Sequence, residues 1–402
     1  MILSLRRFIG STTPVPPEHR NNFTHLYLDV AFWGILNGSI INFLGVYSSR
    51  IGATPFQMGL LTAIPALMNL IVTLPATMWL GNQPVTRIVP RAALITRIFY
   101  LLLVPLPMLL PNSTQLWVIL GIVLFQNISG AVAATIGNAF LAESIPTEWR
   151  GQVIGTRSAL VAIATMITSI IVGQILNALP LANGYQIVFA LGFAGSMGSA
   201  YHLFKIKPVR QPEFPPQAKP VTPPGVVFRF SNLRGPYRRV LLIMFIVHLG
   251  VFLPQAIFPQ YQVNELHLTD QIISLGASLF SVVMFLSSLQ TGRISRRVGF
   301  RRMTGIGMLI ASLSTLMVTF SYNHWLYLAT QLVGGMGWAV FNNGIVNYLL
   351  ESIPDDQRPP YLAWFNLAAN AAVLICGLVS ASLVTGLGLF GAMLLVIVTF
   401  LQ

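Results

Sequence analysis

Long apolar runs broken by short polar segments fill the chain from about residue 24 to its end. Cut at glycine, proline and charge clusters, the runs place spans at 24–50, 56–80, 91–111, 114–142, 152–179 and 184–205. A second set lies at 236–262, 270–291, 302–321, 324–350, 360–384 and 387–402. Roughly 20 apolar residues coil into a helix long enough to cross a hydrocarbon core of about 30 Å. Lipid offers no partner for backbone N–H and C=O groups, and a helix satisfies them within the segment. The pattern therefore predicts an all-α integral membrane protein of about twelve transmembrane helices. The last run is short, about 16 residues or roughly 24 Å of helix. Either the chain stops early there, or that helix ends within the interface.

The runs fall into two groups of six. Between them, residues 206–235 hold Pro208, Pro212, Pro215, Pro216, Pro220, Pro223 and Pro224 together with Lys207, Arg210, Lys219, Arg229 and Arg234. Proline at that density cannot keep a helical hydrogen-bond ladder and gives an extended linker. The expected organisation is an N-terminal cytoplasmic segment (1–22), a six-helix bundle (23–205), a basic proline-rich linker (206–235) and a second six-helix bundle (236–402). An internal repeat agrees. Phe140-Leu-Ala-Glu-Ser-Ile-Pro-Thr-Glu-Trp-Arg150 returns as Tyr348-Leu-Leu-Glu-Ser-Ile-Pro-Asp-Asp-Gln-Arg358, each time at the end of the fourth span of its half.

Charge adds sidedness to this pattern. Of the 402 residues only 8% are charged, against roughly 25% in an ordinary soluble domain, too few to coat a water-soluble globule of this size. The net charge of +13 would suit nucleic acid if the cations formed one basic face. They lie instead in short loops, so nucleic acid is not an expected partner. Arg87, Arg91, Arg150, the linker cluster, Arg293, Arg296, Arg297, Arg301, Arg302 and Arg358 fall on one side of the predicted bilayer, and essentially Arg50 alone on the other. Basic loops stay in the cytoplasm, so both termini are expected there, with the chain multi-pass in the cytoplasmic (plasma or inner) membrane. The only cysteine, Cys376, sits in an apolar run and reads as a packing residue; no intramolecular disulfide or cysteine metal site can form. Met1 to Asn22 carries Arg6, Arg7 and Arg20 but no apolar core of signal-peptide length, so the first span is expected to act as its own insertion signal.

Gly292-Arg-Ile-Ser-Arg-Arg-Val-Gly-Phe-Arg-Arg302, between the eighth and ninth spans, resembles the signature loop of the major facilitator superfamily, Gly-x-Leu-Ala-Asp-Arg-x-Gly-Arg-Arg-(Lys/Arg). Gly292, Arg297, Gly299, Arg301 and Arg302 are in register, while Arg296 stands where the family has Asp. The corresponding first-half loop, Gly81-Asn-Gln-Pro-Val-Thr-Arg87, is degenerate. The resemblance covers the chain from about Phe23 onward and implies two pseudo-symmetric six-helix bundles around a central cavity, lined mainly by the first and fourth helices of each half. It also implies alternating access about a site near the midplane. By the same resemblance, Glu143 and Glu351, each seven residues before Arg150 and Arg358, belong to a cytoplasmic gate with Arg297, Arg301 and Arg302; otherwise they form static surface salt bridges.

Polar residues inside spans are the remaining candidates, because hydrocarbon penalises them unless they face protein or water. Asp29, in the first span, is either a protonatable or cation-coupling carboxylate or an interfacial acid near its helix N-terminus. Asn127 and Asn138 in the fourth span are eleven residues apart and share a face, as do Gln331 and Asn342 in the tenth, near Trp338 and Asn343. His248, Gln255 and Pro259 form one stripe of the seventh span, with Pro254 breaking the ladder; His248 is a proton relay or a packing residue. Asn37 and Asn42 do not share a face of an α-helix, so at most one should line a cavity. Asn366 and Asn370 in the eleventh span are one turn apart. The substrate-cavity candidates are thus Asn37, Asn127, Asn138, His248, Gln255, Gln331, Trp338, Asn342 and Asn370.

No phosphate loop, catalytic constellation or metal-ligand spacing is present in the sequence, so neither enzyme activity nor a cofactor is expected. A cavity poor in acids and bases points to a small neutral polar or amphipathic solute, carried by secondary active or facilitative transport in a monomer embedded in membrane lipid. The Gly-x-x-x-Gly-Pro antiporter run of the family is not seen around residues 172–175. The competing expectation is a non-transporting protein on the same scaffold, serving assembly, pigment delivery or reception.

Overall fold

The computed structural model describes residues 16–80, 84–209, 237–353 and 358–401. All of the regular structure among them is helical. Helix α1 (Pro17–Leu36) continues through a π turn (Asn37–Ile41) into α2 (Asn42–Arg50). Helix α3 spans Pro55–Leu80, and α4 (Val85–Ile98) passes through a 3-10 turn to the short α5 (Leu106–Leu109). Then come α6 (Asn112–Ser144), α7 (Arg150–Ala178) and α8 (Leu181–Lys205). The second half holds α9 (Tyr237–Gln260), extended by a π turn to Glu265, α10 (Asp270–Ser288), α11 (Thr291–Val298), α12 (Phe300–Thr319), α13 (His324–Glu351) and α14 (Arg358–Leu401). Most of the expected N-terminal segment and of the proline-rich linker lies outside the described residues.

Ten segments among the described residues are long and apolar enough to cross a membrane. The count differs from twelve at two places. Helix α13 is diluted by Gln331, Asn342, Asn343, Asn347 and several glycines and is not among the ten. The last two expected spans appear as one helix, α14, broken at Gly388, whose φ of 70° suits only a residue without Cβ. Leu109, Leu289, Leu309 and Trp117 lie exposed on the outer surface, as lipid-facing side chains do when the solvent is hydrocarbon. Tyr322 and Trp325, at the α12–α13 turn, are the most exposed of the large rings, a placement that suits amphipathic aromatics at a headgroup interface. The signature-like loop folds as α11 and joins α12 through Gly299, with φ 78° and ψ 160°. Only glycine takes that conformation at no steric cost, which explains Gly299 in the motif.

The two halves meet along α3 against α14 and α7 against α10. Their bonds to each other gather toward the end of the bundle that carries Arg50. Arg50 donates to Asp270 Oδ1 from Nε at 3.1 Å and from Nη2 at 3.0 Å, and Nη2 also reaches the Leu268 carbonyl. Gln260 Nε2 donates to the Ala53 carbonyl at 2.9 Å, and Ser278 Oγ to the Met166 carbonyl at 3.2 Å. Gly59 and Gly377 pass backbone to backbone, and any Cβ at either would overlap the other helix. Deepest of these bonds, Asn69 Nδ2 donates to Asn370 Oδ1 at 3.2 Å. Arg50→Ala should weaken this closure by about 1.5–3 kcal/mol, the worth of hydrogen bonds to a charged group. Faster labelling of an Ala53→Cys thiol in a Cys376→Ala background would report it; unchanged labelling would show that the clasp holds nothing shut.

Candidate functional site

The polar spine of the first half is built around Asp29. Its carboxylate, 4% exposed, accepts from Ser199 Oγ on α8 and from Arg157 Nη2 on α7 at 3.3 Å. Arg97 Nη2 on α4 lies 3.8 Å from its other oxygen. Arg157 Nη1 also donates to the Leu26 carbonyl at 2.8 Å. Arg97 stacks its guanidinium on Trp33, 5.5 Å from the ring centroid, while its Nε and Nη1 find no partner among the described residues. One carboxylate thus gathers four helices and faces two guanidinium groups. Asp29 is buried within the first half. Arg97 and Arg157 were missed as functional candidates. The available signal was that each sits inside an apolar run, where an ionisable residue seldom lacks a role.

The cavity lies between the halves. A lobe of about 570 Å³ is lined by Asn37 and Asn42 from the first span, Gln255 and Gln262 from α9 and its π turn, and Gln331 and Trp338 from α13. A second lobe of about 280 Å³ adjoins it and shares Ile41, Gln255 and Pro259; Tyr100, Gln126 and Asn127 form part of its wall. Pro254 and Pro259 interrupt α9 where the two lobes meet, since neither can donate to the helical ladder.

Asn37 and Asn42 both line the larger lobe, against the expectation from α-helical spacing. Five residues advance an α-helix by about 140° beyond one turn at 3.6 residues per turn. The π turn over Asn37–Ile41 winds more residues into each turn, so the two amides return to one side. Gly38 makes room for this turn by lying directly against the α7 backbone at Thr165.

The other candidates divide by position. Asn127, Gln255, Gln331 and Trp338 line one lobe or both. Asn138 and Asn342 are exposed, further along α6 and α13 and outside either lining. His248 is packed between Phe252 and Phe365, with Nδ1 2.7 Å from the Met244 carbonyl, and lines neither lobe. Asn370 serves the inter-helix pair with Asn69. Gln262 and Gln126 enter the walls without having been singled out.

The expected gate residues collect at the opposite end from Arg50. Arg150 turns back onto the end of α6, donating to the Ala142 carbonyl at 2.9 Å and the Ile145 carbonyl at 3.3 Å. This is a helix-capping role. The Glu143 carbonyl accepts from Val209 N at 2.9 Å. Glu351, Arg297, Arg301 and Arg302 are exposed, and among the described residues no ion pair joins Glu351 to these arginines. The Arg358 side chain lies outside the described residues. No group of three or more His, Cys, Asp or Glu side chains is placed to hold a metal among the described residues.

Comparison with known proteins bears on this architecture. The family model described as Major Facilitator Superfamily matches residues 29–239 and 240–401. Quinolone resistance protein NorA of Staphylococcus aureus is 20% identical over 132 residues, 33% of this chain and 34% of that protein. Multidrug resistance protein 1 of Bacillus subtilis is 24% identical over 136 residues, 34% of this chain and 35% of that protein. The matched region is therefore about a third of the length of these curated relatives. Among solved structures, a mutant of the nucleoside transporter NupG superposes with a TM-score of 0.71 at 13% identity, covering 94% of this chain and 97% of that one. A bacterial homologue of the human lysosomal transporter Spinster gives 0.70 at 13% identity, covering 96% of each. With the family match running through both halves and the fold shared by these transporters, the chain is a multi-pass membrane protein that belongs to the Major Facilitator Superfamily and is not an enzyme.

Proposed function

We propose that the protein moves a small neutral polar or amphipathic solute across a cytoplasmic or inner membrane by alternating access, as a monomer. One observation carries this reading: a cavity between two helical halves, walled by amides and an indole, with no ionisable acid or base of Asp, Glu, Lys, Arg or His type among the described residues that line it. A charged solute in a low-dielectric cavity would need a fixed counter-charge. The cavity sits between halves that are clasped at the Arg50 end. Exposed Glu351, Arg297, Arg301 and Arg302 at the other end support a cytoplasmic gate drawn in its open state. Closing it would bring carboxylate and guanidinium groups together as the Arg50 clasp releases. Splitting α14 at Gly388 and counting α13 supports a reading of twelve spans, and the basic loops support cytoplasmic termini.

Asp29, engaged by Ser199, Arg97 and Arg157, holds the first half together in this reading. The test is solute counterflow in proteoliposomes across a panel, with and without a proton gradient. Saturable exchange of an uncharged solute is the expected result. If no solute moves under any ion gradient and the protein copurifies with a fixed partner, the scaffold is serving a non-transport role.

A further inference from the structure

The two lobes differ in chemistry, and the difference specifies a ligand. In the larger lobe Asn37 and Gln255 come from opposite halves, and neither makes a side-chain hydrogen bond within the described residues. Trp338 adds a ring that packs edge-on against Phe252, and its indole N–H has no partner among the described residues. Each amide offers a donor and an acceptor side by side. A pair of them across a cleft therefore matches an uncharged group that also offers both. The smaller lobe is walled on one side by Ile40, Leu44, Met58, Leu61 and Val123, carries Gln126 and Asn127 on another, and opens onto the larger one at Gln255. Its 280 Å³ suits a short arm that lies along the apolar side.

We propose that the solute is an uncharged, ring-bearing molecule with a carboxamide-type edge and a short apolar arm. The edge is held between Asn37 and Gln255, the ring lies against Trp338, and the arm enters the smaller lobe. This assignment rests on the transport reading above and gives it a substrate class. Contact with both halves through one small group means that the site is complete only while the halves face each other across it. A site built to bond an amide discriminates strongly against an analogue that leaves its polar groups unpaired.

The test uses the full chain in detergent and reads thermal stabilisation by a probe series, since binding to the native state raises apparent stability. The probes are benzamide, 4-butylbenzamide, N,N-dimethyl-4-butylbenzamide, 4-butylbenzoate and (4-butylphenyl)trimethylammonium. We expect 4-butylbenzamide to bind more tightly than benzamide, the dimethyl analogue about tenfold more weakly than its parent, and the anion and cation not to saturate. Gln255→Leu and Asn37→Leu should each weaken 4-butylbenzamide about tenfold. Leu61→Trp should remove the advantage of the butyl arm; Leu61→Ala, which enlarges the lobe, should instead favour 4-octylbenzamide. Charged analogues that bind as tightly as the amide, Leu variants that change nothing, or a series in which no member binds would each overturn the assignment. Counterflow of any other solute in the same protein would then leave transport standing and reject only the amide class.

Discussion

Asp29→Asn should cost about 3–5 kcal/mol of stability, the range for removing one partner from a buried ion pair. The loss follows from what remains. Arg97, 4% exposed, and Arg157 would face a neutral amide inside a helical bundle surrounded by lipid, with two N–H groups of Arg97 already unpartnered. Part of the penalty belongs to the stranded guanidinium groups, so adding Arg97→Gln to Asp29→Asn should recover some of it and make the pair non-additive. The measurement is the melting temperature of the detergent-purified protein, with the fraction eluting as a single folded species as a second readout. A stable Asp29→Asn protein that loses only the proton dependence of exchange would reverse the assignment and make this carboxylate a coupling group.

Gly59→Val should open the Arg50 end. The added side chain would collide with the Gly377 carbonyl, a backbone atom that cannot rotate away. Overpacking of this kind costs about 1–3 kcal/mol, and because the contact exists only while α3 and α14 are apposed, the cost falls on the clasped state. That displaces the equilibrium between states by roughly 5- to 150-fold. In a Cys376→Ala background, a thiol placed by Gln255→Cys should label faster from the Arg50 side of sealed vesicles. A folded Gly59→Val protein with unchanged labelling would show that this helix pair is not part of the closure.

Much of the architecture was legible before any coordinates. The cut between the last two expected spans, at residues 385–386, falls just before the break that α14 makes at Gly388, where glycine permits a backbone turn that other residues resist. The eleven-residue spacing placed Asn127 and Gln331 on inward faces, yet their partners Asn138 and Asn342 lie outside the lobes. Periodicity assigns a face without assigning depth. The site itself was less legible. Asn42 was set aside by a rule that holds for an α-helix and fails across the π turn at Asn37–Ile41. Arg97 and Arg157 were visible as cations in apolar runs, but their joint claim on Asp29 depends on α4, α7 and α1 meeting.

Lipid imposes its demand on each segment separately: every backbone group must be bonded within the segment, and charge must stay near water. Span positions, the one-sided basic loops and the duplication of the Glu-Ser-Ile-Pro element could therefore be read residue by residue from the sequence. Which polar side chains meet is a property of many helices at once. A local change of winding brought Asn42 into the wall of the lobe that Asn37 also lines, and close approach of α3 to α14 decided where the halves meet. Those outcomes follow from packing across segments far apart in the chain, so only the tertiary structure could decide them.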